Sequence, residues 1–512
     1  FYLVFRALGI TRDRDICDHI VYGVDNTDDT SRQMMSILHR SFEADDSKFG
    51  AIRKSTSSHE IIEFIAQGIV SANTAAAKKD DNVAKYLNNN VLGSMDRYLL
   101  PHISTTPEGR IKKLRYLGYL INRLLLVYMG VIDPIDPDNY KNKRVLAAGT
   151  SMSKIFKTNF NFAVVQEIRK HLVKDFKSTP FSAVHLEGAI KSAVKSETLE
   201  RLLVTAITAG NKVITVKRNE IINRVSTQTL YRKCDMNMFS TLGTINVPNS
   251  SAAKQTERAD LGRRFHLSAQ SFIDCSQSPD TGEEVGRTRQ YAISSSLSAA
   301  SSTYVLNKLL LEDPDIIPVD EVTQPARITA EKLTFIWSNG DWIGFCKDAH
   351  ALAAKYRARR RHDDIHYSTS IVKEPLTREI SFWSDVGRMI RPVVIVYNNI
   401  DEYRRLWRAG DREVVFKQWI RLTQDHIVGL RSGKLTMDDL RKDRAIEYIS
   451  PEEQETTYMA SNIDTLRANV NSVRHQYTHC DIDQSILGIV TLAAPMANHS
   501  NAVRNTMYTN HR

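Results

Sequence analysis

The chain has 512 residues and sets 69 Lys and Arg against 59 Asp and Glu, a formal charge of +10. With 42% hydrophobic and 25% charged residues it has an ordinary globular composition, which excludes a collagen-like fibre, a wholly disordered polymer and a membrane channel. The basic excess hints at a polyanionic partner, though it is thin over this length. Five cysteines (Cys17, Cys234, Cys275, Cys346, Cys480) lie far apart with no C-x-x-C pair, so neither a disulfide framework nor a structural zinc site is expected, and a reducing compartment fits.

In chain order, the apolar run Phe1–Phe5 reads as a strand begun without a preamble. No basic region precedes an apolar stretch, so no signal peptide is expected. The polar end, Asn501–Arg512, has no obvious closing element, and the whole reads as a piece of a longer chain. Ser57-x-x-Glu60 is a capping box before a helix over Ile61–Val70. Leu114, Leu117, Ile121, Leu124, Leu125 and Tyr128 recur at helical spacing as one buried stripe. Arg115, Asn122 and Arg123 interrupt that stretch, so it falls short of the ~18 uninterrupted apolar residues a membrane span needs. Asp133–Asp138 is a Pro-stiffened turn; it lacks the Gly and bidentate Glu of a calcium loop. A further helix covers Ile155–Val173, so the first ~210 residues are mainly helical.

The pattern then changes. Lys212–Lys217 alternates like a strand, and Asn246–Asp260 is polar and small, an exposed loop. Leu333–Trp337 and Trp342–Phe345 flank Ser338-Asn339-Gly340-Asp341, a hairpin signal. Pro392–Val396 reads as a short buried strand. No internal repeat is visible. The fold class is α+β in several small modules, not a doubly wound sheet.

There is no P-loop, H-E-x-x-H, G-x-S-x-G or G-x-G-x-x-G. His362-Asp363-Asp364-Ile365-His366 is read as a polar turn at a helix exit rather than a metal site. Arg357–Arg361 is read as a solvated helix face in preference to a phosphate contact. Glu452-Glu453-Gln454-Glu455 follows Ser450-Pro451 at a helix start, where carboxylates complement the dipole.

Arg263–Ile273, continuing into Ser278–Gly286, resembles the fork of the second-largest subunit of multisubunit DNA-directed RNA polymerases, the β-type subunit. It departs from the family pattern at several positions. Ala269 and Gln270 straddle the usual second His, Ser271 replaces Gly, Gln277 replaces the first Glu, and Thr281 is an insertion. Other blocks follow in the family's order: Val4–Gly9, Leu99–Ile103, Leu117–Leu125 and Lys143–Gly149, then Asn339–Gly344 and Asp385–Pro392. Glu447–Glu455, Thr478–Ile482 and His499–Thr506 complete the series. Their wording is similar to the eukaryotic, archaeal and large-DNA-virus branch, and the drift in the fork motif points to a large DNA virus.

The resemblance implies a polymerase jaw divided into a helical lobe over 1–182, a protrusion segment over 183–212 and a fork over 213–300. Two β-containing external modules then cover 301–398 and 399–476, and a hybrid-binding module starts at 477–512. Such a subunit helps to form the DNA cleft and positions template and incoming nucleotide for nucleotidyl transfer. The aspartates that hold Mg²⁺ lie on the largest subunit, so no catalytic or metal-binding residue is expected here. Zinc belongs to a C-terminal clamp segment beyond these residues.

By the same likeness Arg504 faces the nucleotide's triphosphate, and His499 and Asn501 shape its loop. Met507 stands where the family often has Tyr. Asn246–Gly262 corresponds to the fork loop at the downstream duplex. The family's basic pair before that loop is replaced by Gly243 and Thr244, leaving Lys254, Arg258, Arg263 and Arg264 to supply positive charge. His266 and Asp280 hold the fork's shape rather than move protons. The implied partners are the largest and smaller polymerase subunits, template DNA, nascent RNA and nucleoside triphosphates, with no membrane. The implied location is intracellular: nucleus, host cytoplasm or virion. The piece alone is expected to be inert. A non-enzymatic nucleic-acid-binding scaffold derived from such a subunit is the alternative, and an independent small-molecule enzyme ranks behind both.

Overall fold

The computed structural model describes residues 1–10, 12–22, 28–43, 95–178, 198–208, 234–247, 263–282, 285–299, 301–322, 324–482, 486–499 and 501–511, with a few scattered positions besides. The predicted strand at 212–217, the Ser57 capping position and nearly all of the predicted loop at 246–260 lie outside them. The architecture is α+β, helices with several separate small sheets, and the chain divides into two compact units. One comprises Phe1–Pro137, Ala299–Val386 and Pro392–Ile482; the other comprises Asp138–Ser298, Gly387–Arg391 and Asp483–Arg512.

The first unit opens with a helix, Tyr2–Ala7, where the sequence suggested a strand. A five-residue apolar run cannot separate a strand from a buried helical turn. Here Phe5 and Leu8 turn inward together, and Arg6 reaches back one turn to the Tyr2 hydroxyl at 2.7 Å. Helices Asp13–Val21, Asp29–Glu43 and Arg110–Tyr128 close one core around Phe5, Ile16, Ile20, Leu38, Leu114 and Leu125. Gly118 lets two of these helices touch, because a Cβ there would sit 2.3 Å from the His19 carbonyl oxygen. Asn122 then donates to the Ile20 carbonyl at 2.8 Å. The buried stripe is therefore Leu114, Gly118, Asn122 and Leu125, whereas the expected Leu124 and Tyr128 are 66% and 76% exposed. Reading only apolar residues tilted the stripe toward solvent, since Gly118 and Asn122 are the contacts that set the helix's rotation.

Another face of Arg110–Tyr128 meets a five-stranded sheet. Its strand order is Ile317–Pro318, Asp341–Cys346, Thr334–Ser338, Glu379–Trp383, Ser370–Glu374. The predicted hairpin is present, with Asn339 at φ 49° and Gly340 at φ 89°, the two left-handed positions of a type I′ turn. The Tyr119 ring lies 4.7 Å from Trp337, tilted by 50°; its hydroxyl donates to Glu379 at 2.6 Å, and Arg123 pairs with the same carboxylate. Further on, Met389–Asn398 is longer than the expected 392–396 strand; within the first unit it pairs with Gln418–Ile420 and His479–Cys480.

The second unit holds the predicted helix at 155–173 as Ala148–Phe160 and Gln166–Ser178, joined by a π-helical turn Asn161–Val165. It also holds a three-stranded antiparallel sheet in the order Thr244–Asn246, Thr288–Tyr291, Ile273–Asp274. Phe272, Ala269, Ile273, Tyr140 and Met389 form its core.

Candidate nucleic-acid and nucleotide interface

The site is built on the second unit's sheet. Asp274 ends one strand and is buried, yet its carboxylate is fully used. It accepts from the Gly488 N–H at 2.8 Å, the Thr491 hydroxyl at 2.5 Å, and the Ser276 N–H and hydroxyl at 2.8 and 2.6 Å. Ile293 adds a backbone bond to the Leu487 carbonyl at 2.8 Å. Together these contacts tie the start of helix Ile489–Ala493 to the sheet and thereby direct the chain that follows.

That chain carries His499 at the end of the 3₁₀ turn Ala497–His499, then helix Ala502–His511. Asn501 caps this helix: its side-chain oxygen accepts from the Val503 N–H at 3.1 Å and its carbonyl from Asn505 at 3.0 Å. Arg504 lies in the first turn, and its guanidinium pairs with Asp280 at 2.6 Å. Asp280 is shielded at 18% side-chain exposure, while Arg504 keeps 48%, so the pair anchors the guanidinium and leaves it open to a further anion. Tyr508, one turn on, lies under the guanidinium at 5.9 Å; Tyr508 first and Asp280 after it raise the Arg504 pKa above its already high ordinary value.

The fork-like segment is held by local bonds. His266 Nδ1 accepts from the Ser268 N–H at 3.1 Å and lies 2.7 Å from the Ser268 hydroxyl. That hydroxyl already accepts from the Tyr140 N–H at 2.8 Å, so its own proton is available to Nδ1 and the ring proton belongs on Nε2. Arg263 donates to the Val285 carbonyl at 3.0 Å, and Gly286, at φ 72°, lies where a Cβ would meet the Arg263 carbonyl oxygen at 2.5 Å. Arg264 is exposed and offers its carbonyl to Arg289 at 2.7 Å. Arg289 is buried and also reaches the Gly286 carbonyl at 2.9 Å and the Tyr140 hydroxyl at 2.5 Å. Lys254 and Arg258 lie outside the described residues.

The structure thus brings Asp280 and Arg504 together and places His499 and Asn501 beside the same helix start. Asp274 and Arg289 were not singled out from sequence. The partners that tie them into the fold are remote in the chain: Gly488 and Thr491 for Asp274, Tyr140 and Arg264 for Arg289. Only the Gly-Arg-Thr-Arg run near Arg289 offered any local signal.

Two charge readings need correction, both in the first unit. Arg360 is not on a solvated face: it is 3% exposed and bound to Glu447 and Glu453. Glu453 is likewise buried, so its charge answers a guanidinium in the core rather than only a helix dipole. At the exit of helix Ala349–Arg361, Asp363 pairs with Arg441 and His362 Nδ1 lies 2.9 Å from Arg444. Among the described residues, no three His, Cys, Asp or Glu side chains gather as a metal site would require, and no helix is long and apolar enough to cross a membrane.

The fold and site define a multi-module α+β chain with a braced fork-like segment and an anchored, half-open arginine. Comparison with known families gives three matches in order: RNA polymerase Rpb2 domain 2 over residues 1–146, domain 4 over 336–397 and domain 5 over 437–483. The chain is 27% identical over 509 residues to DNA-directed RNA polymerase II subunit RPB2 of Encephalitozoon cuniculi, covering 99% of this chain and 40% of that protein. It is 26% identical to DNA-directed RNA polymerase II subunit 2 of Arabidopsis thaliana, over 98% of this chain and 38% of the relative. It is 25% identical to DNA-directed RNA polymerase subunit Rpo2 of Saccharolobus solfataricus, over 99% and 40%. The chain belongs to the family of second-largest RNA polymerase subunits and spans about 40% of the length of the curated relatives it matches.

Proposed function

We propose that this chain is part of a DNA-directed RNA polymerase and that it helps form the DNA cleft and position template and incoming nucleotide. The observation that carries this reading is the collinear series of family domains, domain 2, then 4, then 5, within a similarity that runs nearly end to end. The module limits are those expected above: lobe over 1–182, protrusion segment over 183–212, fork over 213–300, external modules over 301–398 and 399–476, and the start of a hybrid-binding module over 477–512.

In this reading Arg504 binds the nucleotide's phosphates. A guanidinium stays charged and offers a rigid fork of donors, and Asp280 limits its freedom before the nucleotide arrives. His499 and Asn501 shape the approach, while Arg263, Arg264, Lys254 and Arg258 add positive charge along the fork, with His266 holding its turn. Magnesium, when bound on the largest subunit, would neutralise phosphate charge. The described residues of this chain offer no cluster fit to hold it, so their contribution is orientation and fixed positive charge.

The partners in this reading are the largest and smaller polymerase subunits, DNA, RNA and nucleoside triphosphates. The work is done where transcription occurs: nucleus, host cytoplasm or virion. The relatives named above are eukaryotic and archaeal, and a viral source rests only on the drifted fork motif.

The test is assembly of the full-length protein with its partner subunits on a preformed RNA–DNA scaffold, followed by templated extension of the RNA. A complex that assembles and binds the scaffold but never extends it would favour a non-enzymatic scaffold instead.

A further inference from the structure

The first unit carries a second basic surface on two adjoining segments, remote in sequence from Arg504. Asn399, just before helix Ile400–Arg408, donates to the Val415 carbonyl at 3.2 Å and accepts from the Lys417 N–H at 2.8 Å. Helix Ile400–Arg408 buries none of its residues and displays Arg404, Arg405 and Arg408. Past its end, the Arg412 guanidinium lies 4.2 Å over the Trp407 ring. In the neighbouring strand pair, Tyr397 sits opposite Trp419, with their rings stacked at an interplanar angle of 20°, and Arg421 lies 4.7 Å over Tyr397.

Strand alternation explains that second group. Gln418 points inward and is buried, bonding the Asn469 and His475 carbonyls at 3.2 and 2.8 Å. Trp419 and Arg421 therefore share the outer face.

Two features separate this surface from ordinary packing. Trp407 and Trp419 are 41% and 43% exposed, although indoles are among the rings a fold most gains by covering. Among the described residues, none of the five arginines enters an ion pair, although carboxylates lie close in sequence. Asp401 and Glu402 occupy the helix's first turn, where they answer its dipole, and Asp411 accepts the Glu413 N–H at 3.0 Å. The arginines are left for an anion from outside.

We propose that this surface binds single-stranded nucleic acid without sequence preference. The open guanidiniums suit phosphates, and the ring–guanidinium stacks suit unpaired bases, every one of which has a π-face. A duplex would engage the charges but hide its base faces. A carboxylate-rich peptide would satisfy the arginines and leave both indoles wet. This site goes beyond the polymerase reading and does not depend on it.

The test uses the full chain and fluorescein-labelled oligothymidylate, followed by anisotropy, together with photocrosslinking to an iodouridine-bearing oligonucleotide and mapping of the attached peptides. Crosslinks within 397–421 are expected, and Trp407→Ala with Trp419→Ala should weaken binding by about tenfold or more. Arg412→Gln with Arg421→Gln should weaken it and flatten its salt dependence. The crosslink map needs no substitution, so a poorly folding variant does not blur the result. Crosslinks confined to other segments would overturn the proposal. So would equal competition by a duplex of the same length, or unchanged binding by a folded variant carrying both Trp407→Ala and Trp419→Ala. RNA extension by the assembled complex tests the polymerase reading separately, since binding here is measured without nucleotides.

Discussion

Arg360 donates to both carboxylate oxygens of Glu453, at 2.7 and 3.0 Å, in a part of the first unit where both side chains are almost wholly buried. The same guanidinium reaches Glu447 at 2.9 Å, and Arg361 and His479 bind that second carboxylate from other sides, each at 2.6 Å. The cluster joins helix Ala349–Arg361 to strand Ile446–Ile449, turn Pro451–Gln454 and strand His479–Cys480. Arg360→Ala removes the bidentate partner of Glu453, leaving that buried carboxylate only the longer Arg357 contact at 3.4 Å, and takes one of three partners from Glu447. The expected loss is about 3–5 kcal/mol in denaturant unfolding. Arg360→Lys keeps the charge but not the fork, so it should recover only part of that. An Ala variant as stable as the parent would show that the cluster contributes nothing net.

The same cluster sets a pH dependence. Burial on its own would raise the Glu447 pKa, but Arg361 and Arg360, aided by His479, outweigh it and hold the carboxyl well below the ordinary range. The folded state therefore takes up this proton at lower pH than the unfolded state does. The stabilisation is complete above the unfolded value of about 4.3 and is lost as pH falls through the lower folded value. Glu447→Gln should be less stable than the parent at neutral pH, with the gap closing on acidification below about pH 4. A gap of constant size from pH 7 to pH 3 would contradict the assignment.

Gly118→Ala sets two effects against each other. Helix propensity alone would favour Ala by about 1 kcal/mol. The new methyl would however meet the His19 carbonyl carbon and oxygen at 2.9 and 2.3 Å, and backbone cannot swing aside as a side chain can. Overpacking of this kind costs about 1–3 kcal/mol, so a net fall in thermal stability is expected. A raised Tm would mean that the helices approach less closely than the structure has them.

The sequence reveals what is decided locally. Asn339-Gly340 demands left-handed backbone, and the hairpin forms around it. The helical spacing in 110–128 is right in period but offset in rotation, because Gly118 and Asn122 make contacts that an apolar count ignores. Phe1–Phe5 carries no period at all over its length, and tertiary packing made it a helix. Charges were the least legible: Arg360 and Glu453 are 93 residues apart, and nothing near either one announces the other. The Arg504–Asp280 pair is of the same kind, for each residue was singled out by family likeness and only the structure joined them.

The last expectation concerns Arg504 in the polymerase complex proposed above. With its guanidinium anchored on Asp280 and still half open, Arg504→Lys keeps a cation but loses both the bidentate geometry and the fixed orientation. Arg504→Ala loses everything. RNA extension should slow for both, more for Ala, with assembly and scaffold binding near the parent's. The Ala deficit should be about 2–4 kcal/mol if the phosphate contact tightens in the transition state, and it then appears in kcat. A contact already complete in the ground state would instead raise KM. Asp280→Asn leaves the arginine in place but removes its anchor, so a smaller deficit of the same type is expected. Single-nucleotide addition on a preformed scaffold, followed across nucleotide concentrations, separates these cases. Unchanged addition by Arg504→Ala would remove the nucleotide role from this residue and leave the pair with Asp280 as a brace of the second unit.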